Sequence, residues 1–190
     1  MNRLYTSLII VAICGTIVAQ SPTTTLSKKE QRLLLKEERK KQEAIEIAKT
    51  ARIVEHMVSR RRFVLEADML FDRYGQSFSV SPNINFVAVD SLAGVIQIGS
   101  SMYIGSNGLG GITIEGKVTT YAWDKNEKRG TYSVNYTVSS SIGTYDVNVT
   151  IHSSGSADAT VRGAFGGSIR YSGDLAHPAQ SKIFKGSSRF

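Results

Sequence analysis

Cysteine is nearly absent from the 190-residue chain, in which Cys14 is the single example. An intrachain disulfide needs two cysteines, so the fold has none to use. Long apolar runs are equally scarce, because after residue 20 there is no stretch of about 18 apolar residues that could form a membrane-spanning helix. A chain of this size without disulfides is stabilised by its hydrophobic core alone.

Recognisable motifs for catalysis, metal binding and nucleotide binding are missing as well. The three histidines form no i,i+4 pair, and no G-x-S-x-G nucleophile motif occurs. The segment Gly111–Val118, GITIEGKV, approaches the phosphate-binding loop but lacks the final Ser or Thr and the helix that should follow. The sequence therefore predicts no metal site, no cofactor and no enzymatic activity.

The first 19 residues have the features of a secretory signal peptide. Arg3 supplies the positive charge, and Leu8–Val18 is an apolar segment of eleven residues, too short to cross a bilayer comfortably. Ala19 is a small residue suited to cleavage, so we expect a mature protein that begins at residue 20 and is periplasmic or secreted. Lipid attachment at Cys14 is the competing interpretation, but an isoleucine precedes Cys14 where a lipoprotein signal requires a small residue.

Charge is distributed unevenly along the chain. Residues 20–62 hold twelve Lys and Arg against six Glu, whereas residues 63–190 hold ten Lys and Arg against ten Asp and Glu. Gly and Pro are absent from residues 28–61, and Ser27 with Glu30 fits a helix capping box. A short linker and a charged helix are therefore predicted over residues 20–62.

An apolar stripe at helical spacing predicts which part of this helix packs against other residues. The stripe begins at Ala44 and continues through Ile47, Ala51, Val54 and Val58, so we expect packing from Ala44 onward. Three interpretations stay open: a solvated helix half-docked on the domain, a coiled coil of about two heptads, and a basic arm that contacts an anionic surface. No feature of the sequence indicates a nucleic-acid partner.

From residue 63 the apolar period changes from 3.6 to 2, which is typical of β-strands. The first such strand places five apolar residues on one face: Phe63, Leu65, Ala67, Met69 and Phe71. The clearest hairpin pairs residues 132–138 with residues 145–151. Eight or nine strands with short connections favour an antiparallel meander, which fits both a closed barrel and a two-layer sandwich. We therefore expect residues 63–190 to form one mainly β domain that folds without the helix.

Four segments together carry a family resemblance. They are Phe63–Ala67 (FVLEA), Ser81–Val87 (SPNINFV), Gly105–Gly116 (GSNGLGGITIEG) and Ile183–Gly186 (IFKG). With the signal peptide and the Lys/Glu-rich helix, they resemble the domain of unknown function family 4251, small exported proteins of Bacteroidetes. The resemblance implies an exported protein of a Gram-negative bacterium and assigns no activity, cofactor or site residue.

The glycine-rich segment between two predicted strands is the candidate binding loop. Its glycines either permit positive φ angles in a turn or let a ligand or partner approach the backbone. The candidate recognition residues are Tyr103, Asn107, Gly108, Gly110 and Gly111. Separately, Asp90-Ser91-Leu92 is similar to the O-glycosylation signal of Bacteroidetes, which makes Ser91 a candidate modification site.

These features together predict a class of function rather than a reaction. We expect a non-enzymatic barrel or sandwich module of the cell envelope that binds a partner protein or a small ligand. Two alternatives remain: a lipocalin-like carrier of an apolar ligand, and a hydrolase whose site assembles from scattered residues. A closed barrel with an apolar interior would favour the carrier.

Overall fold

A computed structural model of the chain describes residues 27–100, 111–163 and 167–187, and within them it contains one helix and nine strands. The chain divides into two compact units, Met1–Arg39 and Lys40–Phe190. The helix, α1, spans Lys28–Ser59. The strands are β1 (Arg62–Phe71), β2 (Ser77–Ser79), β3 (Phe86–Asp90), β4 (Ala93–Ile98), β5 (Ile112–Asn126), β6 (Thr131–Ser140), β7 (Gly143–His152), β8 (Ser156–Gly163) and β9 (Ser168–Ala176).

The predicted capping box begins α1. The backbone N–H of Ser27 donates to Oε2 of Glu30 at 2.8 Å, and the N–H of Glu30 donates to Oγ of Ser27 at 3.4 Å. These two bonds satisfy backbone donors that the first helical turn leaves without a carbonyl partner. At the other end Arg61 adopts a φ of 54°, which turns the chain out of the helix and into β1.

The strands form one closed antiparallel barrel. Each strand from β3 to β9 pairs with its neighbour in sequence, and β1 pairs with both β3 and β9, which closes the sheet. Strand β2 pairs with β1 alone among the described residues and lies outside the eight-stranded ring. The predicted antiparallel meander is confirmed. The sequence pattern allowed a barrel or a two-layer sandwich, and the closed ring shows that the fold is a barrel.

Strand β1 contains a β-bulge that the alternating sequence did not predict. Its register against β9 shifts between Ala67 and Met69, so the inward face changes by one residue. Leu70 is buried with the core, whereas Met69 and Phe71 are only half-buried. The expectation that Met69 and Phe71 continue the apolar face is therefore wrong, because the bulge reverses the alternation beyond Ala67.

The hairpin of β6 and β7 agrees with its predicted pattern. Val147 and Val149 on β7 are 1% and 2% exposed, and they pair with Tyr136 and Val134 on β6. Asn148, between the two valines, is exposed. One face of this hairpin thus lines the barrel interior, and the opposite face contacts solvent.

The last two turns of α1 close one end of the barrel. Val54, Met57 and Val58 are at most 3% exposed and belong to the barrel core. The hydroxyl of Tyr121 on β5 donates to the Val58 carbonyl at 2.7 Å, and the hydroxyl of Tyr132 on β6 donates to the helix at 3.2 Å. These two bonds connect β5 and β6 to the backbone of α1.

Packing of the helix begins later than the stripe indicated. Ala44 is exposed, and Ile47 is 46% exposed, whereas Thr50 and Ala51 are half-buried. The expectation that the helix packs from Ala44 onward is therefore wrong by about two turns. The stripe repeats at the correct spacing, but the barrel end is covered by its last part only.

The segment after β9 crosses the outside of the barrel and is held by a buried glutamine. Gln97 on β4 is fully buried, and its Nε2 donates to the carbonyls of Ile84 and Phe184 at 3.1 and 2.9 Å. Its Oε1 accepts from the N–H of Gly186 at 2.8 Å and from the Thr113 hydroxyl at 2.9 Å. One side chain therefore joins β4 and β5 to the C-terminal segment.

A second buried amide, Asn85, joins the wall of the barrel where β3 begins. Its Oδ1 accepts from the N–H of Gly99 at 2.9 Å, and its Nδ2 donates to the Ser81 carbonyl at 3.0 Å. Its backbone carbonyl accepts from the N–H of Ala67 at 2.9 Å, directly before the bulge. Because β3 starts only at Phe86, Asn85 continues the connection between β1 and β4 beyond the regular ladder.

Candidate ligand-binding site

An apolar cavity of about 420 Å³ occupies the end of the barrel opposite α1. Strand β1 runs from the helix-covered end toward this cavity, and the antiparallel order brings the last residues of β4 and β8 and the first residues of β5 and β9 to the same end. The lining residues are Asp72, Arg73, Ile96, Ile98, Ile112, Ile114, Ile142, Tyr145, Val161, Gly163, Gly167, Ser168, Ile169 and Tyr171.

Two pairs of isoleucines at alternating positions form one wall of the cavity. Ile96 and Ile98 lie two apart on β4 and pair with Ile114 and Ile112 on β5. Side chains two apart in a strand point to the same face, so all four face the interior. Because β-branched residues favour strands, isoleucine at these positions both stabilises the strand conformation and supplies apolar surface to the cavity.

Tyrosines fill the barrel below the cavity. Tyr171 is fully buried, and its hydroxyl donates to the Gln97 carbonyl at 3.4 Å. Tyr136 is 3% exposed, and its ring meets Phe63 edge to face with centroids 6.3 Å apart. Burial raises the pKa of both hydroxyls above the ordinary value for tyrosine, so both stay neutral. The barrel is therefore packed near α1, and the described residues leave a cavity at the other end.

The Tyr136 hydroxyl is an exception to the pairing of buried polar groups. Among the described residues it is the buried side-chain atom that lacks a hydrogen-bond partner. Leaving a buried hydroxyl unpaired costs about 1–3 kcal/mol. The stacking of Tyr136 on Tyr121, with centroids 6.2 Å apart, and its contact with Phe63 offset part of that cost.

Two charged residues of the turn after β1 lie at the cavity rim. Oδ1 of Asp72 accepts from the N–H groups of Tyr74 and Gln76 at 2.8 and 2.9 Å, so this carboxylate holds the turn. The Arg73 guanidinium lies 4.7 Å above the Tyr74 ring and donates to the Tyr74 hydroxyl at 2.6 Å. Among the described lining residues Arg73 is the one cation.

The predicted binding loop is described in part only. Tyr103, Asn107, Gly108 and Gly110 lie outside the described residues. Gly111 is described and directly precedes Ile112 of the cavity wall, but it is not among the glycines with positive φ. A Cβ at Gly111 would overlap the carbonyl of Ile98. The expectation that some glycines of this loop adopt positive φ rests on Gly105, Gly108 and Gly110, which lie outside the described residues. At Gly111, close approach to β4 requires the glycine.

Ser91, the candidate modification site, lies in the exposed two-residue turn between β3 and β4. Its φ is 58°, and its N–H donates to the Arg61 carbonyl at 2.8 Å. Arg61 and Ser91 are the described non-glycine residues with positive φ, and this bond joins them. The helix-to-strand connection and the β3–β4 turn therefore support each other.

Metal and membrane features are absent from the part of the chain that the structure describes. In residues 27–100, 111–163 and 167–187, no group of three or more His, Cys, Asp and Glu side chains could hold a metal ion. No described helix is both long enough and apolar enough to span a membrane.

The fold and the cavity define the protein as an antiparallel β-barrel that is closed at one end by a helix and has an apolar pocket at the other. The chain belongs to the domain of unknown function family DUF4251, whose family model matches residues 45–175. The crystal structure of a DUF4251 family protein from Bacteroides eggerthii DSM 20697 is similar, with a TM-score of 0.60 and 28% identity. That match covers 71% of this chain and 92% of the other. Among curated proteins no sequence matches.

Three of the sequence segments that carry the family resemblance meet outside the barrel wall. Ser81–Val87 contains Asn85, and the N–H of Phe184 in Ile183–Gly186 donates to the Asn83 carbonyl at 2.7 Å. The Glu66 carboxylate in Phe63–Ala67 accepts from the Ser181 hydroxyl at 2.5 Å and from the Lys182 N–H at 3.2 Å. These segments hold the barrel wall and the C-terminal segment together, and none of them lines the cavity.

The binding loop predicted from the sequence adjoins the cavity but does not include the described residues that line it. The predicted loop ends at Gly111, and the cavity wall begins one residue later. The missed residues are the isoleucines, which a sequence does not distinguish from ordinary core residues. The available signal was the repeat of Ile-x-Ile in two neighbouring strands, Ile96–Ile98 and Ile112–Ile114, together with the absence of large aromatic residues at those positions.

Proposed function

We propose that the protein is a non-enzymatic binding module of the cell envelope that takes up a small apolar ligand in the open end of its barrel. The observation that carries this proposal is the cavity of about 420 Å³ with its wall of isoleucines. Small-molecule sites are typically apolar concavities of about 300–1,000 Å³, and eight-stranded barrels are wide enough to hold one small ligand.

The contrast between the two ends of the barrel supports binding rather than ordinary packing. Near α1, Tyr132 and Ile151 are at most 1% exposed, so their side chains are covered by neighbouring residues. At the other end Ile112 is 48% exposed and lines the cavity. Leaving apolar surface in contact with water costs about 25 cal/mol per Å², so a ligand that covers this wall gains free energy.

The chemistry of the lining supports a binding role over catalysis. Its titratable groups are Asp72, Arg73, Tyr145 and Tyr171. Asp72 holds the turn through two N–H groups, and burial keeps Tyr171 protonated by raising its pKa. No nucleophile with an adjacent general base occurs among the described lining residues, and both groups are needed for covalent hydrolysis.

Export and envelope partners are part of the same proposal and rest on different features. Residues 1–19 support secretion to the periplasm or beyond, because they have the composition of a signal peptide. The excess of Lys and Arg in residues 20–62 supports peripheral contact with an anionic surface. A ligand-binding barrel carried on a basic helix would then meet both a small ligand and an envelope component.

Fluorescence titration with a neutral apolar probe, N-phenyl-1-naphthylamine, tests the binding role. We expect saturable binding to the purified protein. Val161→Phe should weaken this binding at least tenfold, because Val161 lies in the cavity wall and the larger ring occupies the space. The control is Val95→Phe, whose half-buried side chain lies on the opposite face of β4. Absence of saturable binding, or equal weakening by both variants at unchanged thermal stability, would contradict the proposal.

A further inference from the structure

The lining of the cavity has an apolar wall and a charged rim, and this arrangement restricts the ligand class. Seven of the described lining residues are aliphatic and β-branched: Ile96, Ile98, Ile112, Ile114, Ile142, Val161 and Ile169. Such a wall offers dispersion contacts but few hydrogen-bonding groups. Such a wall suits a saturated or nearly saturated hydrocarbon segment better than a polar ring.

Among the described residues, the rim supplies one cation, Arg73, and it forms no ion pair. Arg73 forms no ion pair with the adjacent Asp72 among the described contacts, and Oδ1 of Asp72 already accepts two backbone N–H groups. The guanidinium lies 4.7 Å from the centroid of the exposed Tyr74 ring and donates to the Tyr74 hydroxyl at 2.6 Å. A planar guanidinium can bind a carboxylate through paired hydrogen bonds.

We propose that the ligand is a single-chain carboxylic acid whose hydrocarbon chain enters the cavity and whose carboxylate meets Arg73 at the rim. This inference rests on the proposed function and deepens it by naming the ligand class. The volume of about 420 Å³ lies in the lower part of the range for small-molecule sites, so it suits one chain rather than a two-chain lipid. The exposed position of Arg73 keeps the head group in contact with water.

A chain-length series tests the apolar part of this inference. Linear carboxylic acids of increasing length compete with N-phenyl-1-naphthylamine for the purified protein. Each added methylene that enters the cavity should raise the affinity about fourfold until the cavity is filled. Beyond that length the affinity should stay constant. Affinity that is independent of chain length would overturn the inference.

A head-group comparison tests the charged part. For one chain length, the acid should bind about twofold to fivefold more tightly than the alcohol and the amine, as expected for an exposed ion pair. Raising the salt concentration to about 1 M should remove this preference. In Arg73→Gln the acid and the alcohol should bind equally, whereas Arg73→Lys should keep part of the preference. The control Arg129→Gln changes an arginine next to β6, at the helix-covered end, and should leave the preference unchanged.

The outcomes separate this inference from the proposed function. If the alcohol and the acid bind wild-type protein equally, or if the amine binds best, the carboxylate assignment is overturned while apolar binding stands. If neither the probe nor any of the chains binds, both the ligand class and the proposed function fail. Loss of the acid preference in Arg73→Gln alone supports the assignment.

Discussion

In the β6–β7 hairpin, single residues alternate between the interior and the surface along each strand. Val147 is 1% exposed and Asn148, the next residue, is exposed. Buried amides are the other residues on which the wall depends, because Gln97 and Asn85 satisfy backbone groups that the strand ladders leave unpaired. Changes at Val147, Gln97 and Asn85 should therefore have large effects, and changes at exposed neighbours such as Asn148 should have small ones.

The substitution Val147→Asp should unfold the protein at ordinary temperature. An unpaired buried charge costs several kcal/mol, a large part of a total stability of about 5–15 kcal/mol. Asn148→Asp adds the same carboxylate on the exposed face and should change stability by less than about 0.5 kcal/mol. Circular dichroism during thermal unfolding measures both. Equal effects from the two would mean that both faces of β7 are covered.

Gln97→Leu should lower the free energy of unfolding by about 1–3 kcal/mol, because it leaves buried carbonyl and N–H groups without partners. Hydrogen exchange should also accelerate at the Gly186 amide, which loses its acceptor. Gln76→Leu, in the exposed turn before β2, is the control and should change neither quantity. Unchanged exchange at Gly186 in Gln97→Leu would show that the C-terminal segment is held by other contacts.

At the scale of elements, the sequence predicted the regular parts and missed the irregular ones. The charged helix and the β6–β7 hairpin follow from local periodicity, so their existence and the inward face of the hairpin could be predicted, whereas the length of helix that packs on the barrel could not. The bulge in β1 could not, because it depends on how β1 pairs with three different strands. The bond from Gln97 to Phe184 joins residues 87 positions apart, and no local pattern records such a contact.

The attachment of α1 to the barrel should depend on acid pH through Glu55. A hydrogen bond from Lys125 at 3.0 Å, helped by the charge of Lys125, lowers the pKa of the Glu55 carboxyl below its ordinary value of 4.5. A lowered pKa means that the contact stabilises the protein above that value and is lost as the pH falls through the folded-state pKa.

Glu55→Gln should therefore flatten the acid limb of the stability curve, measured by chemical unfolding below pH 5. Glu46→Gln, an exposed change elsewhere on α1, is the matched control and should leave the acid limb as in wild type. The same acid limb in wild type and Glu55→Gln would show that the ion pair does not contribute to the attachment.

At the scale of the whole molecule, the protein combines a predicted export signal, a basic helix and a barrel with an apolar opening. The barrel end near α1 is covered by Val54, Met57 and Val58, and the cavity that the described residues line is at the opposite end. The predicted loop residues stop at Gly111, beside the cavity, and the lining itself could not be predicted. The presence of a cavity depends on how the side chains of several strands pack together in space. Isoleucine in a strand has the same sequence signature whether it faces a neighbour or an open space.

The mature protein in its native envelope should begin at Gln20. The apolar segment of residues 8–18 ends beside Ala19, which suits the position before the cleavage site. Intact-mass measurement of protein isolated from the envelope determines the terminus. Cys14→Ser should yield the same mature mass as wild type. A diacylglyceryl group on Cys14 would instead identify a lipoprotein.

The central claim is that the open end of the barrel binds an apolar ligand. Titration of protein labelled with ¹³C at isoleucine methyl groups, using a linear carboxylic acid that saturates the site, tests this claim most directly. We predict that the methyl signals of the cavity shift: Ile96, Ile98, Ile112, Ile114, Ile142 and Ile169. The signals of Ile45 and Ile53 on α1 and of Ile151 near the sealed end should stay in place. Shifts confined to the helix, or no saturable shift at the cavity, would contradict the account.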